Sequence, residues 1–338
     1  MEEFIQEAKE TASGELTEAV EREETSVKPA GNPNQPKSKR KKVNVKEQLV
    51  LHSMLIPGVV IAVIFMIVPM IGIIMAFEDY NVAQGFFGSP WVGLKHFQIL
   101  FNRTDFWHAT RNTFIIAFWK IVFTTVLSIL LSLLINEIQL LQIKKGVQTV
   151  LFLPYFLSWA LLGNLMVDVF SYSGAVNYFL EALGIDPVYF ITSNRWFRVI
   201  IVGTDVWKTI GYQIVVFLAA ITNIDPALYE AAKIDGANHT QLVWHITLPS
   251  IMSMIVLMSI LNIGNIMNAG FDQILVMYNP SVYETGDILD TMAYREGLLQ
   301  FGKYSIGTAI GLFKSIISAT FFSISYLIAN KWKGYKIF

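Results

Sequence analysis

The sequence contains no cysteine, and only 15% of its 338 residues are charged. Without cysteine, the chain can form neither a disulfide framework nor a thiolate metal site. A soluble domain is about 25% charged and about 45–50% apolar, whereas 54% of this chain is hydrophobic. The shortage of charge therefore excludes an ordinary soluble enzyme and indicates a protein whose main solvent is lipid.

Long apolar runs occupy most of the chain after residue 48. Crossing about 30 Å of hydrocarbon takes about 20 residues of helix. We therefore predict an all-α integral membrane protein with six transmembrane helices, at about 51–77, 113–135, 150–170, 197–221, 250–268 and 306–329. An even number of spans places both termini on the same side of the membrane.

The first 47 residues differ from the rest in composition. They have few large apolar side chains and a stretch rich in proline and glycine at 28–36, so we predict a largely disordered leader. The leader ends in a basic cluster formed by Lys37, Lys39, Arg40, Lys41, Lys42 and Lys46. Basic residues beside a span mark the cytoplasmic side. This predicts that both termini are cytoplasmic, and it is favoured over a nucleic-acid-binding patch.

The loop between the fourth and fifth spans, residues 222–249, carries strong local signals. Asp225 suits a helix N-cap, Pro226 the first helical position and Gly236 the end of a short helix. A second helix is predicted from about Asn238 to Pro249, where the fifth span begins. By composition alone, the first helix either lies on the membrane surface or docks on a partner.

Residues of this loop resemble a known signature. Glu230-Ala231-Ala232, followed by Gly236 and by Ile246-Thr247-Leu248-Pro249, resembles the EAA motif of permease subunits of binding-protein-dependent ABC importers. Residues 90–97 and 153–159 are similar to the maltose-type sugar permeases, nearest to their oligosaccharide and polysaccharide branch. The resemblance covers about residues 48–338, which we interpret as one transmembrane permease domain of the type I ABC importer fold.

The resemblance implies roles for the loop residues. Glu230, Ala231, Ala232 and Gly236 would form a coupling helix that docks on a cytoplasmic ATPase. Ile246, Leu248 and Pro249 would fix the angle between this helix and the fifth span. The loop would thereby transmit the opening and closing of the ATPase to the spans.

The resemblance also implies a set of partners. These are a second, related permease subunit in a heterodimer, two cytoplasmic ATPase subunits that bind Mg-ATP, and an extracellular solute-binding protein. The resemblance implies a carbohydrate substrate, in particular an oligosaccharide. It also implies that the chain lies in the lipid of a bacterial inner membrane.

One segment looks like a nucleotide-binding loop and is rejected. Residues from Gly297 to Lys303 match the first part of a P-loop, but Tyr304 stands where a small hydroxyl must reach magnesium, and no strand is predicted before it. We therefore predict that this chain is not an enzyme and holds no cofactor. The energy would come from a separate subunit.

Polar residues within the spans are candidates for the solute path, because a buried charge there is costly. Asp205, Lys208 and Tyr212 share one helical face, and Asp205 is predicted to pair with Lys208. Further candidates on the path are Trp207, Asn262 and Asn265. For each residue, hydrogen bonding to a neighbouring helix is the alternative. Lys120 and Lys314 are predicted to extend toward the outer interface, without a transport role.

Two other functional classes remain alternatives. A secondary transporter would use the Asp205–Lys208 pair as a proton relay. An intramembrane enzyme would need a converging set of catalytic or metal-binding groups, but none of the five histidines stands at metal-ligand spacing within a span. The secondary transporter is therefore the stronger alternative to the ABC permease.

Overall fold

The computed structural model describes residues 45–300 and 302–333. Its regular structure there is helical, except for one antiparallel bridge between Glu78 and Trp91. The chain divides into two units, Met1–Val68 and Pro69–Phe338, each described by itself. The predicted leader, 1–47, lies almost wholly outside the described residues.

The described part of the first unit is a single apolar helical stretch. Helix α1 covers Val45–Ala62, with Pro57 inside it, and a π-helical turn follows at Val63–Ile67. From Met54 onward its large apolar side chains are exposed. A helix that is apolar all round is suited to lipid, and the candidate span Ser53–Phe77 overlaps the first span predicted from the sequence.

The second unit opens with short helices, and its helices up to residue 222 include two further candidate spans and one bent pair that can count as a third. A 3-10 helix over Val68–Phe77 leads into this unit. The helices that follow are α2 Gly85–Gly88, α3 Lys95–Phe101, α4 Thr104–Asn136, α5 Leu141–Phe152, α6 Trp159–Val169, α7 Ala175–Ala182 and α8 Phe197–Thr222.

The remaining helices include the loop that resembles the EAA region and the last two spans. They are α9 Pro226–Ile234, α10 His239–Leu242, α11 Leu248–Gly264, α12 Phe271–Met277, α13 Tyr283–Gly286, α14 Leu289–Tyr294 and α15 Tyr304–Lys333. A π-helical turn at Val243–Thr247 joins α10 to α11, so that His239–Gly264 forms one candidate span.

The described residues contain five helices able to cross a membrane, or six if one bent pair counts as a span. The bent pair is Leu141–Phe156 with Trp159–Val169, at an angle of 101°. The all-helical prediction is confirmed, but the third span is not the straight helix predicted at 150–170. Its two parts are separated at Leu157 and Ser158, where Ser158 caps α6 by accepting a hydrogen bond from the Leu161 N–H at 3.3 Å.

Helix α4 packs along α8 to form the centre of the second unit. Buried residues from both helices meet there, among them Phe106, Ile116, Phe197, Ile201 and Ile214. Gly211 of α8 lies against the Leu151 backbone of α5 so closely that a Cβ atom would clash. A glycine is therefore required for these helices to approach each other.

The start of the last span is tied to the segment that follows the first. Ser305 donates its hydroxyl to the Glu78 carbonyl at 2.6 Å and accepts the Tyr80 N–H at 3.0 Å. Both Glu78 and Ser305 are buried. A pair of hydrogen bonds therefore holds together residues more than 220 positions apart in the sequence.

Candidate coupling and translocation sites

Helix α9 forms as the sequence predicts. The Asp225 carboxylate caps it by accepting the Ala227 N–H at 2.9 Å, and Pro226 is its first residue. Gly236 ends it with φ of +82°, a conformation that favours glycine. Asn238 and Gln241 then form a capping box, which starts the helix that continues into α11.

The surface of α9 carries two exposed apolar side chains. Leu228 is 51% exposed and Ile234 is 86% exposed, while Glu230 and Ala231 are also exposed. Outside the candidate spans, exposed apolar side chains beside small ones are typical of a surface that receives a partner. Neighbouring Ala232 is only partly exposed, because it faces the turn.

A direct contact joins α9 to the base of the fifth span. The hydroxyls of Tyr229 and Thr247 are 2.9 Å apart, and Thr247 is buried. Ile246 and Leu248 are partly buried on either side of Thr247, and Pro249 follows within α11. The helix and the span are therefore linked by a hydrogen bond as well as by the chain.

Asp205 and Lys208 do not form the predicted salt bridge. The Asp205 carboxylate lies 3.1 Å from the ammonium of Lys120 on α4. Lys208 instead donates to the Tyr155 carbonyl at 2.8 Å and lies near the Tyr155 and Trp159 rings. The prediction considered only neighbours on α8, whereas the bend between α5 and α6 brings a carbonyl and two rings to Lys208.

Lys120 is central to a buried polar cluster that the sequence did not predict. Its ammonium contacts the Ala269 carbonyl at 2.8 Å and the Gln273 side-chain oxygen at 2.5 Å, besides Asp205. Gln273 is fully buried and donates to the Ile201 carbonyl and to the Thr204 hydroxyl. The position predicted for Lys120 near the outer interface is therefore wrong.

Lys314 also differs from its prediction. Its ammonium lies 2.6 and 2.7 Å from the two carboxylate oxygens of Asp290 on α14. The pair is about four-fifths buried. The prediction that Lys314 extends toward the outer interface is therefore also wrong, because a partner on another helix holds its side chain within the protein.

The other candidate path residues do not converge on one site. Tyr212 stacks on Tyr155 with ring centroids 5.2 Å apart, while Trp207 is 46% exposed on α8. Asn262 donates to the Thr125 hydroxyl at 3.4 Å, and Asn265 bonds within its own helix. These contacts agree with the alternative of hydrogen bonding to neighbouring groups.

The fifth span ends with α11 at Gly264, and a break in the helix follows. Gly270, at φ of +90°, turns the chain into α12, and a Cβ atom there would lie 2.8 Å from the Lys120 ammonium. A cavity of about 750 Å³ opens beside this break, and its wall includes Trp159, Asn268 and Asp272. Neither the cluster nor the cavity was predicted from the sequence, although a lysine deep within an apolar run was itself a signal.

A second set of ion pairs lies between the fifth and sixth candidate spans. Arg295 forms a two-point contact with buried Asp287, at 2.7 and 3.0 Å, and this hydrogen bonding raises the Arg295 pKa. Arg103 contacts Glu296 at 3.0 Å, and its hydrogen bond lowers the pKa of that carboxyl. Burial, with the hydrogen bond that Tyr278 shares with Tyr283, raises the pKa of Tyr278 to about 12.

Comparison with known proteins identifies the family. The model for "Binding-protein-dependent transport system inner membrane component" matches residues 142–334. The permease protein YteP of the polygalacturonan/rhamnogalacturonan transport system of Bacillus subtilis (strain 168) is 37% identical over 88% of this chain and 93% of its own. Protein LplB of the same organism is 37% identical over 83% of this chain and 89% of its own.

Solved structures agree with the sequence relatives. A chain of a bacterial ABC transporter involved in the import of the acidic polysaccharide alginate superposes with a TM-score of 0.79 at 36% identity. The match covers 86% of this chain and 98% of that one. The helices described above therefore form a known membrane architecture, and the chain belongs to the inner membrane components of binding-protein-dependent transport systems, the permease subunits of ABC importers.

Proposed function

We propose that the chain forms one half of the membrane path of an ABC importer that takes up an oligosaccharide. As a permease subunit in the inner membrane, it works with a binding protein and with other transporter subunits, and it is not itself an ATPase. Relatives named for polygalacturonan/rhamnogalacturonan and arabinooligosaccharide transport support a carbohydrate substrate. The protein then moves its substrate by alternating access and breaks no bond.

The single observation that carries the proposal is the linkage between α9 and the fifth span. The exposed side chains of Leu228 and Ile234 offer α9 a docking face, and the Tyr229–Thr247 contact connects that face to the start of α11. Glu230, Ala231, Ala232 and Gly236 would therefore be the docking element for a cytoplasmic ATPase. Ile246, Leu248 and Pro249 would set the angle at which its motion reaches the spans.

The proposed assembly contains a second, related permease subunit in a heterodimer, two ATPase subunits that use Mg-ATP, and an extracellular binding protein. Both termini and α9 would then face the cytoplasm, in accord with the basic residues 37–46 before the first span. A purified active complex without a second permease chain would contradict the heterodimer.

The test is ATP-dependent uptake by the complete complex in proteoliposomes. Glu230→Lys and Gly236→Pro are expected to abolish uptake while the complex still inserts into the membrane. Gly184→Pro is the matched control, because Gly184 also has a positive φ, +75°, and lies outside the proposed docking element. Normal uptake by the Gly236 variant would contradict the docking role.

A secondary transporter, the alternative, would take up saccharide without ATP and without partner subunits. The carboxylate that it would use, on Asp205, is paired with buried Lys120. Reconstituting this chain alone and imposing a proton gradient should give no saccharide uptake. Uptake under those conditions, without ATP, would replace the ABC proposal with an ion-coupled one.

A further inference from the structure

The cavity of about 750 Å³ lies between the bend of the third span and the segment that links α11 to α12. Trp159 enters its wall as the first residue of α6, directly after the 101° bend, and Asn268, Gly270 and Asp272 enter it from the break between α11 and α12. Irregular backbone at membrane depth is tolerated where it is buried in protein or lines a water-filled space. Irregular backbone from both segments forms part of the cavity wall, as it would in a space that admits a polar solute.

The charged groups on the cavity wall leave one carboxylate free. The charged residues there are Asp272, Asp290 and Lys314. Lys314 is held by both carboxylate oxygens of Asp290, at 2.6 and 2.7 Å. Asp272 is exposed, and its carboxylate has no hydrogen bond or salt bridge within the described part of the chain. The remaining charge of the wall is therefore negative.

The rest of the wall suits a sugar ring. Phe271 and Tyr294 line the cavity with their rings in an edge-to-face contact, 5.6 Å between centroids, and Trp159 and Tyr304 add two further aromatic groups. Aromatic faces receive the apolar C–H face of a sugar, while a carboxylate and the Asn268 amide accept hydrogen bonds from its hydroxyls.

A uronate residue would meet this wall differently from a neutral sugar. Its carboxylate would approach the unpaired Asp272, and two nearby like charges repel. The described residues on the wall offer it one cation, Lys314, which Asp290 already neutralises. A neutral sugar would instead donate a hydroxyl to Asp272 and gain a charge-assisted hydrogen bond.

We propose that this cavity is a saccharide subsite and that Asp272 makes it selective for neutral sugar residues over uronates. The inference rests on the proposed permease function and narrows its substrate class. It sets this chain apart from the alginate transporter, 36% identical, whose substrate is acidic. It also sets it apart from the polygalacturonan/rhamnogalacturonan permease YteP, 37% identical, since polygalacturonan consists of uronate residues. The selectivity would lie in the membrane path, in addition to any selectivity of the binding protein.

The experiment uses the complete complex with its binding protein in proteoliposomes loaded with ATP. The external probe is an equimolar pool of tri- to hexasaccharides, half neutral and half containing uronate, and the imported sugars are identified by mass spectrometry. We expect the neutral sugars to exceed the uronates at least tenfold inside the vesicles. Equal or preferential import of uronates would overturn the inference, whereas a failure to import any saccharide would overturn the proposed function instead.

Variants at position 272 test whether the Asp272 carboxylate is responsible for the preference for neutral sugars over uronates. Asp272→Asn should raise the KM of the imported neutral sugar about fivefold to tenfold, and Asp272→Lys should shift the uptake ratio at least tenfold toward uronates. Asp272→Glu, which keeps the charge, should retain the original preference. ATP hydrolysis stimulated by the binding protein should persist in the Asn variant, which shows that the complex is assembled.

The control is Asp186→Asn, since Asp186 is also exposed and unpaired among the described residues but lies outside the cavity. It should leave both the KM and the uptake ratio unchanged. If Asp272→Asn and Asp272→Lys both import the pool in the wild-type ratio with the wild-type KM, Asp272 does not contact the substrate and the inference is wrong. If the Asp272→Lys variant fails to assemble, the KM of Asp272→Asn alone tests the inference, and a wild-type KM would show that it is wrong.

Discussion

The ammonium of Lys120 lies 3.1 Å from the carboxylate of Asp205, and this contact joins the second span to the fourth. Lys120 is 6% exposed, and its other contacts are the Ala269 carbonyl and Gln273. The same ammonium therefore holds the segment that follows the fifth span. An ion pair at this depth persists because the two charges are partners and the ammonium has further hydrogen bonds.

Removing one member of this pair should destabilise the protein. Lys120→Met leaves the Asp205 charge buried without its partner, and we expect a loss on the order of 3 kcal/mol. The double variant Lys120→Met/Asp205→Asn should recover part of that loss, because no charge is stranded. Thermal unfolding of the purified complex in detergent measures both effects. A double variant less stable than Lys120→Met would contradict the pairing.

Gly270→Ala should disturb the same cluster from the backbone side. Alanine is disfavoured at φ of +90°, at a cost of about 1–2 kcal/mol, and its Cβ would lie 2.8 Å from the Lys120 ammonium. Gly184→Ala is the control, because Gly184 has φ of +75° but nothing within 4 Å of its Cβ position. We expect a distinctly larger fall in Tm for Gly270→Ala. Equal falls would mean that strain alone accounts for the effect.

The absence of cysteine makes the proposed orientation directly measurable. Single-cysteine variants Ile234→Cys and Asp186→Cys lie at exposed positions on either side of the fourth span. A membrane-impermeant maleimide added to intact cells should label the Asp186 variant, and the Ile234 variant should react only after the membrane is opened. The reverse pattern would place α9 and both termini outside the cell.

The contact between Arg103 and Glu296 predicts a dependence of stability on pH. Because the folded state lowers the Glu296 pKa, this carboxylate stabilises the protein above its unfolded pKa, which is about 4.3. The contribution is lost as the pH falls through the lower, folded pKa. Between pH 5 and pH 3 the Tm of wild type should therefore fall more steeply than that of Glu296→Gln.

The matched control for this measurement is Glu181→Gln. Glu181 is exposed, and its side chain has no partner among the described residues. The Tm of Glu181→Gln should follow the wild-type dependence on pH over the whole range. If Glu296→Gln also follows that dependence, the ion pair does not contribute to stability.

The parts of the fold that were predictable depend on short-range signals. The long apolar runs located the spans, and Asp225, Pro226 and Gly236 located α9, because a cap, a proline and a glycine act on their own helix. The boundaries of the spans were less accurate. Helix α4 begins at Thr104 and not near 113, because its polar first turns pack on protein and carry no hydropathy signal.

The polar contacts inside the membrane could not be predicted in the same way. Lys120 and Gln273 are 153 positions apart, and nothing in the sequence near either residue indicates the other. The pairing of Asp205 with Lys208 was the best local solution, but tertiary packing offered Asp205 a more distant partner. The cavity that contains Asp272 likewise depends on two breaks whose relation exists only after folding.

The contact of Ser305 with Glu78 and Tyr80 has a consequence for biosynthesis. A chain made from its N-terminus leaves the ribosome with Glu78 long before Ser305, and these partners are 227 positions apart. At about 5–20 residues per second, the wait for Ser305 is at least about 10 seconds. During that interval the buried Glu78 carbonyl lacks its final hydrogen-bond donor, so the early spans remain an incomplete assembly until the last one enters the membrane.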